Sequence, residues 1–181
     1  MDSGIPFLRV ENLTDLGEID MADVLAIGPA THRILGRSQL RVGDVLISIA
    51  GTIGRTAVIG AKHVPANCNQ ALALVRPIST LIMSEFLRAF LSSQVGQRSM
   101  LARSVQLAQA NLSLGQIANT LVLVPSLDEQ QRISETLGSI DHRWREDARA
   151  LHKLRLLKRG LRDDLLTGRV RVTPLPDGDA T

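Results

Sequence analysis

The stretch Ser126 to Leu166, SLDEQQRISETLGSIDHRWREDARALHKLRLLKRGLRDDLL, decides the architecture of this 181-residue chain. Ser126 is placed to cap the first free amides of a helix, and Glu129 follows three residues later, as a capping box requires. Pro125 keeps the helix from extending backwards. Ile133, Leu137, Ile140 and Trp144 then recur at alternating steps of four and three. Leu151, Leu154, Leu161 and Leu165 continue the same stripe, interrupted by Asp147 and Lys158. A seam of this period is what one helix offers another in a coiled coil. Thr167-Gly168 supplies the stop, since glycine accepts the left-handed conformation that ends helices. About forty residues at ~1.5 Å each make a rod of about 60 Å, too long to bury its stripe against a small domain. Such a helix is most often a plain packing or dimerising element. Its basic second half, eight Arg or Lys from Arg143 to Arg162 against Glu146 and Asp147, fits a phosphate-facing surface or a solvated face.

Composition narrows the class. An apolar fraction of 44% is ample for a packed core, and the net charge is only +3, which permits contact with nucleic acid without requiring it. One cysteine, Cys68, excludes an internal disulfide framework and suits a reducing cytoplasm. The N-terminus has no secretory pattern, and no apolar run reaches membrane-spanning length, so a cytoplasmic protein is expected. Aromatic residues number four (Phe7, Phe86, Phe90, Trp144), with no tyrosine. Single-strand binders stack bases on aromatic rings, so any nucleic-acid partner is expected to be a duplex.

Residues upstream of the rod read as short strands and turns. Pro6–Val10 is a predicted strand, followed by a polar turn at Glu11–Asp15. Val45–Ala50 is a predicted buried strand, broken by Gly51-Thr-Ile-Gly54 and returned by Arg55–Ile59 as a tight hairpin. Gln70–Arg76 is a further strand. The period then changes. Ser84 is expected to cap one helix running to Leu101, with Phe86, Leu87, Phe90, Leu91 and Val95 on its buried face. A Gln- and Ala-rich loop at Arg103–Asn111, a helical turn at Ser113–Ile117 and a last strand at Leu121–Val124 complete the region. The expected fold is α+β: a small twisted β-rich domain over residues 1–125, a long coiled-coil-forming helix over 126–168, and a mostly disordered tail over 169–181.

The residues needed for catalysis are missing. An adenine methyltransferase needs an aromatic-ended Asn/Asp-Pro-Pro loop, and the chain has neither tyrosine nor a Pro-Pro pair. Gly51-Thr-Ile-Gly54-Arg55 does not match a phosphate-binding P-loop. None of Lys62, Lys153 or Lys158 has an acid two residues before it, as a metal-dependent nuclease would want. The four histidines lack zinc spacing, and Cys68 reads as core before it reads as a nucleophile.

Several stretches together resemble one family. Gly43-Asp-Val-Leu-Ile-Ser-Ile-Ala-Gly-Thr-Ile-Gly54 is similar to its glycine-broken hairpin, and Asn69-Gln70 through Pro77 to its following strand. Gln109-Ala-Asn-Leu-Ser113, then Val124-Pro-Ser-Leu-Asp-Glu-Gln-Gln-Arg-Ile133, resembles its junction into a helix, and Leu161–Val170 resembles its helix end. These are specificity subunits of type I restriction-modification systems. The resemblance implies a target-recognition domain that reads part of a split duplex DNA sequence and a spacer helix that pairs antiparallel and docks methyltransferase subunits. It implies no catalysis: S-adenosylmethionine, ATP and Mg would belong to the methyltransferase and restriction/translocase partners. Full subunits of the family carry two recognition domains and two helices, whereas this chain has room for one of each. A half-subunit that homodimerises through the helix and a C-terminal remnant acting as an interaction protein both remain open. The start at Ile5–Val10 reads as the middle of a recognition domain, with opening strands expected to be missing.

Duplex reading needs donors and acceptors on loops, with cations for phosphates. The candidates are Thr52 and Arg55 at the hairpin tip, Lys62 and Asn67 on the next loop, and Arg103, Ser104, Gln106 and Gln109 before the rod. Gly51, Gly54, Asn69 and Asn111 read as turn formers.

Overall fold

A computed structural model describes residues 4–101 and 111–172. The chain divides into two compact units, residues 1–138 and 139–181.

The first unit holds two three-stranded sheets. In one, β1 (Ile5–Leu8) lies between β2 (Leu25–Ile27), antiparallel, and β5 (Asn67–Cys68), parallel. In the other, β3 (Val45–Ser48) lies between β4 (Thr56–Val58) and β6 (Leu72–Val75), antiparallel to both. All four β3 residues are buried. Because successive side chains on a strand point to opposite faces, Leu46 enters one apolar cluster with Leu8, Leu13, Ala57, Ile59 and Leu72. Val45 and Ile47 enter a second with Ala73, Leu87, Leu91, Met100 and Leu112. The β3–β4 hairpin thus divides the core in two.

The Gly43-Asp44 turn opens this sheet. Gly43 has φ +90°, and the buried Asp44 carboxylate accepts from the Arg41 amide at 2.7 Å and from Arg76 Nε and Nη2 at 2.7 and 2.8 Å. A two-pronged Arg–carboxylate contact satisfies the buried acid and ties the start of β3 to the residue after β6.

The structure departs from expectation in several places. The predicted Ser84–Leu101 helix is two, α2 (Ser84–Ser92) and α3 (Gln94–Leu101), following α1 (Pro29–Ile34). Ser93 is extended between them; its hydroxyl donates to Phe90 O at 2.7 Å and accepts from the Gly96 amide at 3.1 Å. A Cβ at Gly96 would sit 2.1 Å from Phe90 O, so the tight corner needs glycine, and beyond the break Val95 is 69% exposed rather than buried. Ser84 is not the cap: Met83 occupies that position, and the Ser84 hydroxyl donates to Gly43 O at 2.6 Å. The Leu121–Val124 run forms no strand. Val122 packs on the second cluster while Leu121, Leu123 and Val124 are exposed, and among the described residues no neighbouring strand supplies a ladder. The six-residue α1, with Pro29 in its first turn, has no counterpart in the sequence reading. The short α4 (Leu114–Ala118) has the expected place, capped by Ser113 and Gln116 reciprocally.

The long helix is α5 (Leu127–Leu166), 40 residues. Ser126 Oγ accepts from the Glu129 amide at 3.3 Å, and Gly168, at φ +72°, follows its end. Within the first unit Gln130 is fully buried. Its Oε1 accepts from the Met83 amide at 2.8 Å, and its Nε2 donates to Leu81 O at 3.0 Å and Pro125 O at 2.9 Å. One side chain thus satisfies main-chain groups on two segments. Replacing it, Gln130→Leu, takes the partner from one amide and two carbonyls and should cost about 2–4 kcal/mol, read as a lower denaturant midpoint with unchanged slope.

Candidate nucleic-acid interface

The hairpin tip between β3 and β4 is held through its main-chain atoms. The buried Ser48 hydroxyl donates to Thr52 O and accepts from the Arg55 amide at 2.9 Å. The Ser48 amide donates to Arg55 O at 2.9 Å, and Gly54 N to Ser48 O at 3.0 Å. Gly51 and Gly54, at φ +73° and +88°, take backbone conformations that residues with a Cβ resist. From α3, Gln97 Nε2 donates to Gly54 O at 3.0 Å and Leu91 O at 2.6 Å. A Cβ at Gly54 would come within 2.1 Å of the Gln97 amide. The result is a braced tip on which Thr52 is exposed.

Arg103, Ser104, Gln106 and Gln109 lie outside the described residues. The residues on either side of that segment are placed, and both belong to the same neighbourhood as the tip. Gln97, upstream, grips Gly54, and downstream the Leu112 amide donates to Ile49 O at 2.9 Å. Arg98, exposed and next to Gln97, belongs with these candidates and was passed over because no loop or turn marks it in the sequence.

The remaining candidates divide. Lys62 is exposed on a 3₁₀ turn, Ala61–His63. His63 beside it is buried, its Nδ1 accepting from the Gly60 amide at 3.0 Å; burial, then the Lys62 charge, holds its imidazole below the ordinary value. Arg55 is committed within the unit, its Nε donating to Asp15 Oδ1 at 2.6 Å, so a phosphate there would compete with a carboxylate. Asn67 is 0% exposed and has no surface to offer a base. Its Nδ2 donates to Leu35 O at 3.0 Å and Ser38 Oγ at 2.8 Å, and its Oδ1 bonds His32 Nδ1, pinning the residues after α1 to β5. A loop position with an amide side chain suggested reading; burial makes it a fastener. Asn69 is a turn former as expected, its Oδ1 accepting from the Ala71 amide at 3.2 Å.

Chemistry beyond binding finds little support. Cys68 is buried, and desolvation pushes its thiol up to about 11, the opposite of an activated nucleophile. Among the described residues no group of three or more His, Cys, Asp or Glu could hold a metal, and no helix is long and apolar enough to cross a membrane.

Residues 36–148 match the family model described as type I restriction modification DNA specificity domain. The chain is 32% identical over 130 residues to the type I restriction enzyme EcoBI specificity subunit of Escherichia coli, covering 72% of this chain and 27% of that protein. In fold it is similar to the HsdS subunit from Thermoanaerobacter tengcongensis, with TM-score 0.65 at 18% identity, over 99% of this chain and 45% of that one. A chain from a structure of complex assembly and conformational transition of the type I R-M system gives TM-score 0.66 at 19% identity, with the same coverage. The chain thus spans less than half the length of each of these proteins.

The division between fasteners and surface residues is measurable. Asn67→Ala should lower unfolding free energy by about 1–3 kcal/mol, by leaving buried polar groups unpaired. Lys62→Ala and Thr52→Ala should stay within about 0.5 kcal/mol of the parent in the same denaturation series.

Proposed function

The chain belongs to the type I restriction modification DNA specificity domain family, and from that we propose that it is a non-catalytic DNA-recognition subunit of a type I restriction-modification complex. Its β-rich unit binds one part of a split duplex target. The observation that carries this reading is the braced hairpin: the exposed Thr52 stands on a tip fixed by Ser48 and Gln97. Base reading gains from donors held in place before the partner arrives, because less ordering remains at binding. Lys62 and Arg98 supply exposed positive charge for phosphates.

In this reading α5 is the spacer. Its seam residues Leu137, Ile140, Trp144, Leu151, Leu154, Leu161 and Leu165 are 36–62% exposed, an apolar stripe that calls for a partner helix laid antiparallel. Methyltransferase and restriction/translocase subunits bring S-adenosylmethionine, ATP and Mg, and the assembly works on DNA in the cytoplasm. The exposed seam also favours a second reading, an interaction protein that pairs through α5 or holds the methyltransferase subunit without choosing a DNA sequence.

Selection from a random duplex library by the purified chain, with and without its cognate methyltransferase subunit and at two salt concentrations, separates the two. Enrichment of one interrupted sequence is expected. Lys62→Ala should then weaken binding to all sequences about equally and reduce the salt slope by about 1, whereas Gln106→Ala should relax preference at one base position by about 1–3 kcal/mol. Complex formation without enrichment would leave the interaction protein as the correct description.

A further inference from the structure

Resting on the reading of the β-rich unit as a DNA-recognition domain, we infer that Arg55 reads a guanine from the major groove, and that Asp15 is the positioning residue that turns it toward a base and away from phosphates. Arg55 is where the hairpin tip rejoins β4, just beyond the exposed Thr52. Its amide donates to Ser48 Oγ at 2.9 Å and its carbonyl accepts from the Ser48 amide at 2.9 Å, so the root of the side chain is fixed. The side chain is then held at a single atom: Nε donates to Asp15 Oδ1 at 2.6 Å. Among the described residues Nη1 and Nη2 make no hydrogen bond, and neither is buried. Those two donors form the fork that matches O6 and N7 of guanine.

Asp15 is anchored independently of Arg55. It lies in a turn in which Gly17 N donates to Thr14 O at 3.2 Å, Thr14 N to Glu18 O at 2.9 Å and Glu18 N to Thr14 Oγ1 at 3.1 Å. Gly17, at φ +74°, lets that turn close on β4: a Cβ there would lie 3.3 Å from Thr56 O. Turn and hairpin therefore already meet through their main chains, and an ion pair whose acid is 75% exposed adds little to holding them. The Arg76–Asp44 pair shows the structural version of the contact in the same unit. There the acid is 1% exposed, and both Nε and Nη2 are engaged on it. At Arg55 only Nε is engaged and the fork stays open.

Charge decides which DNA group Arg55 takes. A free arginine is drawn first to phosphate. With Asp15 beside it the pair is neutral, and a phosphate approaching Nη1 and Nη2 meets the repulsion of the carboxylate as well as the attraction of the guanidinium. Guanine carries no net charge and gains two hydrogen bonds without that repulsion. Holding Nε also removes side-chain freedom before DNA arrives, freedom that a long cation otherwise loses on binding.

The test uses the full chain with its cognate methyltransferase subunit, and the duplex that the parent enriches with each base pair replaced in turn. Arg55→Ala should lose about tenfold to a hundredfold of preference for guanine at one position and keep the parent's preferences elsewhere. Arg55→Lys should do the same, since it keeps the charge without the fork, and it keeps the test decisive if the alanine variant unfolds. At that position 7-deazaguanine, which lacks the N7 acceptor, should weaken binding by the parent and leave Arg55→Ala unaffected. Asp15→Ala should do what loss of a merely structural contact would not. It should relax the guanine preference while binding to unrelated duplexes tightens and the salt slope steepens by about 1, because the freed cation takes a phosphate. In the Arg55→Ala background the same change should leave the slope as it was. Guanine preference that survives Arg55→Ala and Arg55→Lys, or Asp15→Ala weakening all duplexes alike with the slope unchanged, overturns the inference while the recognition reading stands. A parent chain that enriches no sequence overturns the recognition reading, and this inference with it.

Discussion

The Gln130 amide lies where water does not reach, and its oxygen and nitrogen together satisfy main-chain groups at Leu81, Met83 and Pro125. Those three groups mark the residues before α2 and the residue that ends the Leu121–Pro125 run. Without the amide each would lose this partner, and neither segment has a strand ladder to fall back on. An apolar residue at this position could pack the space but could not close the account of hydrogen bonds. The constraint also sets which side of the first turn of α5 faces inward, the side that carries Gln130.

Around that junction the β-rich unit separates two kinds of polar residue. Ser48, Asp44, Asn67 and Gln97 direct their side chains at the chain's own backbone or at one another's elements, and three of them are buried. Thr52 and Lys62 do not; they are exposed. Composition could not make this distinction, because the same residue types suit both jobs. Burial and partner geometry make it.

The legible parts of the fold were those written in local chemistry. The capping serine, the 3.5-residue seam and the closing glycine placed α5, and the glycine-broken apolar run placed the β3–β4 hairpin, each from residues close together in sequence. What was not legible depended on distant partners. Asn67 looked like a loop donor because nothing nearby reveals His32, Leu35 and Ser38 closing over it. Arg55 looked like a phosphate contact because Asp15 lies forty positions away. The break at Ser93 hides in a helical pattern, and only the approach of Gly96 to Phe90 O shows why the chain turns there. Leu121–Val124 carried a strand's apolar run without a strand's neighbour among the described residues.

The way the hairpin tip is braced has an evolutionary consequence. Ser48 and Gln97 take hold of it through main-chain atoms of Thr52, Gly54 and Arg55, and the two glycines supply the turn. None of those hydrogen bonds uses the Thr52 side chain. Selection can therefore exchange that side chain while the scaffold beneath keeps its shape, so the position would vary with little compensation elsewhere.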